Sequence, residues 1–152
     1  MRNVLLLFSL LIAKISYSNN LTYDYRGYTT NLDTMKLGNN SKFINFKNRG
    51  TWNDDKGNYG RGKCQGSVLI EEEGNTIEEV LYFCEFEDQE EMKFWIRGSR
   101  TGSLQEAGVG TNIFIAADEK YQKYINKKCV YAIKYIKDTF HAKNKCKLNK
   151  DN

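Results

Sequence analysis

The chain has 152 residues, a formal net charge of +4, an aromatic content of 13% and no proline. That length suits one domain, and the composition is that of a globular protein. The charge is too small to give the broad basic field with which proteins grip nucleic acid, so no nucleic-acid partner is expected.

The first eighteen residues read as an export signal. Arg2 supplies a cationic start, and Val4 to Ala13 is an apolar run containing five leucines that stops at Lys14. Ser16 and Ser18 then place small residues at the two positions a signal peptidase reads, so cleavage is expected after Ser18. A membrane-spanning helix needs about 20 apolar residues, more than this run offers. No cysteine stands at the junction, which argues against a lipoprotein anchor. The expected organisation is a signal peptide over 1–18 and one domain over 19–152. Loss of Arg2 and Lys14, with no acidic residue in the segment, lowers the charge from +4 to +2. The destination is periplasmic or extracellular, with no membrane span left after cleavage.

The mature chain alternates polar and apolar residues with the period of β-strands. Leu21 to Thr29 interleaves tyrosines with polar residues, and Ser41 to Lys47 repeats this with Phe43 and Phe46. Thr51-Trp52 leads into a turn-rich stretch from Asn53 to Gly62. Lys63 to Glu71 and Thr76 to Glu87 form two further strands about a turn at Glu73-Gly74-Asn75. Glu91 to Arg97 carries Met92, Phe94 and Ile96 at alternate positions and is expected to end at a Gly98 turn. Val109 to Ala116 follows, then a single helical turn within Asp118–Ile125, where Tyr121, Tyr124 and Ile125 have helical spacing. Short strands separated by Gly/Asn/Asp clusters predict an all-β fold, a small antiparallel β-barrel of about eight strands, with a β-sandwich as the alternative. Without proline, strand edges lose one of their usual guards, which favours a closed sheet.

The four cysteines act as register markers. Four cysteines allow three connectivities, and the oxidising compartment makes disulfides the natural reading. A three-residue loop at 73–75 sets Glu72 opposite Thr76, and counting outward brings Cys64 opposite Cys84. A two-residue loop at Lys137-Asp138 sets Ile136 opposite Thr139, and Cys129 falls opposite Cys146. Directly opposed Cα atoms lie about 4.5–5.5 Å apart, within disulfide reach. In the second hairpin Cys129, Tyr131, Ile133 and Tyr135 share one face with Phe140, Ala142, Asn144, Cys146 and Leu148. His141, Lys143, Lys145 and Lys147 occupy the opposite face of the returning strand, so the lone histidine is placed on the outside.

Motifs that carry chemistry are scarce. Asp54 and Asp55 lack the spacing of a calcium loop and belong to a turn. Gly57, Gly60 and Gly62 are not followed by a helix, as a phosphate loop requires. No C-x-x-C pair is present, so zinc is not expected. The acidic groups Glu71 to Glu73 and Glu85 to Glu91 lie near hairpin ends, as solvated residues. With His141 on a lysine face, a serine triad has no base. No catalytic residue, metal ligand or cofactor motif is assigned.

Gly50-Thr51-Trp52, the glycine turn, Cys64-Gln65-Gly66 and Ala107-Gly108-Val109-Gly110-Thr111 with Ile113 and Ile115 form a pattern, continued by Ala116 to Tyr121 and by Cys129-Val130-Tyr131. It resembles the small secreted barrels of the allene oxide cyclase group, which includes dirigent proteins. The resemblance covers roughly half of the mature chain and implies an eight-stranded barrel with an apolar interior. It carries over no catalytic residue, and the turn glycines typical of the group are replaced here.

Two classes of function follow. One is a non-enzymatic secreted barrel that binds a small apolar ligand or a partner surface. The other is an isomerase or cyclase of the allene oxide cyclase type, in which the cavity constrains a reactive substrate. Trp52, Tyr82, Trp95, Tyr131, Tyr135 and Asn144 are the candidate ligand-lining residues, unless the aromatic rings simply fill the interior.

Overall fold

A computed structural model describes residues 20–38, 40–71, 76–104 and 107–148; the export signal expected at 1–18 lies outside them. The elements run β1 (Leu21–Lys36), β2 (Ser41–Asp54), β3 (Tyr59–Glu71), β4 (Thr76–Asp88), β5 (Lys93–Arg100), β6 (Ser103–Leu104), β7 (Ala107–Ala117), a 3-10 helix (Glu119–Tyr124), β8 (Lys128–Ile136) and β9 (Thr139–Cys146). Every pairing is antiparallel, in the order β3-β2-β1-β9-β8-β7-β5-β4. A β3–β4 pairing closes the ring, so the protein is an eight-stranded barrel rather than a sandwich. Closure removes the free edges that a proline-free sequence would leave exposed. The short β6 pairs with β4 beyond the end of β5, through Thr76–Leu104 and Ile77–Ser103.

Both disulfides join the cysteines that the hairpin count opposed. Cys64 faces Cys84 and Cys129 faces Cys146 in register, each pair with a Cα–Cα distance of 4.0 Å. All four cysteines are buried, so the staples cross the inside of the barrel wall. The β8–β9 turn is as expected, with Ile136 opposite Thr139. The β3–β4 turn differs. Thr76 pairs with Glu71 rather than Glu72, and a bulge between Leu69 and Ile70 shifts the register back. The longer turn and the bulge offset one another, which leaves the cysteine partners unchanged.

Three other expectations need correction. Tyr59 to Gly62 is strand, and only the residues between β2 and β3 turn. Gly98 does not end β5; it is a buried position inside a strand that continues to Arg100. The helix is longer than one turn, at six residues.

The two ends of the barrel are unequal because the strands have unequal lengths. β9 pairs with β1 only from Leu21 to Tyr28, whereas β1 continues to Lys36 against β2 alone. One wall therefore stands above the β8–β9 hairpin at that end. At the other end the 3-10 helix folds across the opening and buries Tyr121 and Tyr124. An aromatic core fills the barrel beneath it. Phe94 stacks on Phe86 at 4.8 Å and on Phe114 at 5.0 Å, while Trp52 meets Phe94 edge-on at 5.2 Å. Offset and edge-to-face ring pairs of this kind are favourable beyond the area they bury.

Candidate functional site

The middle of the barrel is built from large rings seated over glycines. Tyr82 stands opposite both Gly66 and Gly98, and Tyr131 stands opposite Gly110. A Cβ on Gly98 would overlap the Tyr82 ring, and one on Gly110 would lie 2.6 Å from the Tyr131 ring. The two tyrosines meet edge to face at 5.7 Å. Inward-facing glycine on one strand thus makes room for inward-facing tyrosine on the next.

Polar groups gather around these rings. Asn112 Nδ2 donates to Asn144 Oδ1 at 2.8 Å, and Asn144 Nδ2 donates to the Tyr23 carbonyl at 3.4 Å. Burial pushes the hydroxyls of Tyr82, Tyr131 and Tyr135 above the ordinary tyrosine range. The positive charge of Arg100 opposes that rise at Tyr131 and Tyr135 without cancelling it. At neutral pH the three are protonated hydroxyls, able to donate hydrogen bonds but not to act as bases.

An inner cavity of about 50 Å³ is walled mainly by apolar side chains, with Asn48, Tyr82, Arg100, Tyr131, Tyr135 and Asn144 supplying its polar atoms. A water needs on the order of 10–15 Å³ by this measure, so a few waters fit. A whole organic ligand, which needs roughly 300 Å³ or more, does not. Above it, at the end away from the helix, the barrel opens into a depression of about 390 Å³. Leu32, Ile44, Phe46, Val68, Ile77 and Val80 form its apolar wall, with Thr29, Lys137 and Asp138 around it. Phe46, Val80, Arg100 and Tyr135 border both spaces, so the mouth and the inner cavity are adjacent.

Arg100 sits at that junction. It is only 6% exposed, and its Nη1 has no hydrogen-bond partner. Among the described residues no carboxylate borders the inner cavity, and Asp138 is the only one bordering the mouth.

The structure brings Tyr82, Tyr131, Tyr135 and Asn144 together at this site. It places the two tryptophans elsewhere. Trp52 belongs to the aromatic core at the closed end, where its Nε1 donates to the Glu87 carbonyl at 3.1 Å. Trp95 lies on the opposite face of β5 from Phe94 and Ile96 and donates its Nε1 to Glu85 Oε2 at 3.1 Å. His141 is on the outer face as expected, exposed, with Nε2 3.3 Å from Asp24 Oδ1. The Asp54 oxygens accept from the Lys56 and Asn58 backbone N–H groups and from Asn58 Nδ2, which makes the acidic loop a self-bonded turn. Among the described residues no His/Cys/Asp/Glu cluster could hold a metal ion, and no helix is long and apolar enough to cross a membrane.

The chain matches no protein-family model and no curated protein.

Arg100, Asn48 and the apolar mouth were missed by sequence reasoning. Their signal was present: Phe94, Ile96, Gly98 and Arg100 alternate inward along β5. Reading Gly98 as a turn cut the alternation one step before the arginine.

Proposed function

We propose that the protein is an exported, non-enzymatic carrier whose barrel takes up a small ligand with an apolar body through its open end. The observation that carries this reading is the apolar mouth of about 390 Å³, which shares Phe46, Val80, Arg100 and Tyr135 with the inner cavity. Its size falls within the roughly 300–1,000 Å³ of small-molecule sites, and an apolar wall with a few convergent polar groups is the usual composition of such sites. Two buried disulfides fit an oxidising compartment, and the N-terminal segment has the form of an export signal.

The cyclase or isomerase reading has one specific observation behind it. Tyr131 and Asn144 border the same inner cavity, where a neutral hydroxyl and an amide could steady a developing oxyanion. The inner cavity is too small to surround a substrate, so the carrier reading stands first.

A neutral naphthylamine dye that fluoresces in apolar surroundings tests the carrier reading. Saturable enhancement is expected with the native protein, and Ile44→Trp, which fills the mouth, should abolish it. His141→Ala on the outer face should leave it unchanged. Enhancement that survives Ile44→Trp, or that never saturates, would sink the reading.

A further inference from the structure

We infer that the ligand of this barrel is a monoanion, held by its charged head at Arg100 with its apolar body in the mouth. This rests on the carrier reading and adds the ligand's charge and orientation to it.

The first argument is electrostatic. An arginine side chain stays protonated in proteins, and a buried charge without a partner is strongly unfavourable. Folded proteins therefore give buried arginine a carboxylate or a full set of acceptors. Arg100 is 6% exposed, its Nη1 has no acceptor, and among the described residues no carboxylate lines the inner cavity. A permanent cation thus lies inside the barrel with no carboxylate bonded to it among the described residues. A bound anion would take that place.

The second argument is positional. Arg100 borders both the inner cavity and the apolar mouth. A head group that reaches it leaves the rest of the ligand against the aliphatic wall of Ile44, Val68 and Ile77. Tyr135 borders the same two spaces and Tyr131 the inner one. Burial keeps both hydroxyls protonated, so each is a donor for the same anion. A guanidinium fork with hydroxyl donors beside it suits the planar, bidentate geometry of a carboxylate.

The third argument is a charge count. Among the described residues Arg100 is the only cation bordering the inner cavity. The mouth adds Lys137 and Asp138, which are adjacent, exposed and opposite in sign. One net positive charge at depth matches one negative charge. A dianionic phosphate would bring a second negative charge into the barrel without compensation.

The test measures displacement of the neutral dye by three probes that share one chain: decanoate, decanol and decyl phosphate. Decanoate is expected to bind the native protein at least tenfold more tightly than decanol, and more tightly than decyl phosphate. Arg100→Gln should bring decanoate down to the level of decanol while leaving decanol within twofold of its native value. Arg100→Lys, which keeps the charge but loses the fork, should show an intermediate acid-to-alcohol ratio. It also serves as the variant arm should Arg100→Gln fail to fold. Equal affinity for decanoate and decanol in the native protein overturns the anion inference and leaves the carrier reading standing. Tighter binding of decyl phosphate overturns the single-charge match. Failure of all three probes to displace a dye that does bind the mouth overturns the inference too, and a dye that never binds overturns the carrier reading itself.

Discussion

The Tyr121 hydroxyl donates a 2.7 Å hydrogen bond to Asp88 Oδ2, the same oxygen that accepts from Lys120 Nζ at 2.7 Å. Asp88 Oδ1 accepts from the backbone N–H groups of Glu90 and Met92 at 2.8 and 3.0 Å. One carboxylate thus ties the β4–β5 turn to the helix that covers the closed end. The two charges buried among the described residues, Asp88 and Arg100, stand in contrast. Asp88 is held by four donors, and Arg100 at the other end has an unpartnered Nη1. The first is what a structural charge looks like, and the second is the observation on which the proposed ligand anion rests.

Asp88→Asn should loosen the closed end. An amide keeps an acceptor for the turn but turns an NH₂ toward Lys120 and Tyr121, both donors. Charged hydrogen bonds are worth about 1.5–3 kcal/mol each, so a loss of about 2–3 kcal/mol is expected in urea unfolding. Tyr121→Phe removes one donor and should cost about 1 kcal/mol. Equal stability of Asp88→Asn and the native protein would show that the helix is held by packing alone.

Stability should fall on both sides of a neutral plateau. Burial raises the carboxyl pKa of Asp88, but hydrogen bonds from Lys120, Tyr121, Glu90 and Met92 outweigh it and hold the group below its ordinary value. At Glu85 burial acts the same way, and Lys63, Trp95 and Lys93 outweigh it. A depressed folded pKa stabilises above the unfolded value, about 4, and that stability is lost as pH falls through the folded pKa. On the alkaline side burial raises the hydroxyls of Tyr23, Tyr25, Tyr82 and Tyr121. The folded state then keeps protons that the unfolded chain releases above about pH 10, so stability declines from there upward. Circular dichroism during an alkaline titration checks this: tyrosinate absorbance from the buried rings should appear only together with loss of native signal.

The residues that set the register were legible because disulfides and turns are local in sequence. Cys129 and Cys146 needed only the two-residue turn between them, and the face they define correctly placed His141 outside. Cys64 and Cys84 were paired correctly although their turn is longer than expected, because the bulge at Leu69/Ile70 offsets it. The site was harder to read. Trp52 and Trp95 have the same composition signal as Tyr82 and Tyr131, and only the closed register separates core, outer wall and cavity. A glycine in a strand and a glycine in a turn look alike in sequence. Gly98 differs from a turn glycine only through Tyr82, a residue that closure brings opposite it. Arg100 was hidden for the same reason, since an inward arginine is recognisable only once its strand is known to continue.

Each disulfide should contribute about 3 kcal/mol, the chain-entropy value for loops of this length, with sequence separations of 20 for Cys64–Cys84 and 17 for Cys129–Cys146. Replacing both members of one pair with alanine should lower the unfolding free energy by that amount and leave the other pair intact. Cys129→Ser should free Cys146 alone. Because Cys146 is buried, an alkylating reagent should label it in denaturant and spare it in native buffer. Peptide mapping that finds the label on Cys64 or Cys84 would mean that the strands exchange partners.

Gly98→Ala tests the seating of rings over glycines and connects it to the site. The added methyl would overlap the Tyr82 ring, and overpacking of a filled interior costs about 1–3 kcal/mol. The backbone at Gly98 is held between β4 and β7, so the ring must give way, and the inner cavity beside Tyr82 is the space open to it. Displacement there should narrow the approach to Arg100 and weaken dye and decanoate binding together. Tyr82→Leu in the same chain removes the overlap, so the double variant should be more stable than the sum of the two single losses predicts. Additive losses in denaturant unfolding would show that the ring and the glycine act independently, and the packing account of the cavity would fail with them.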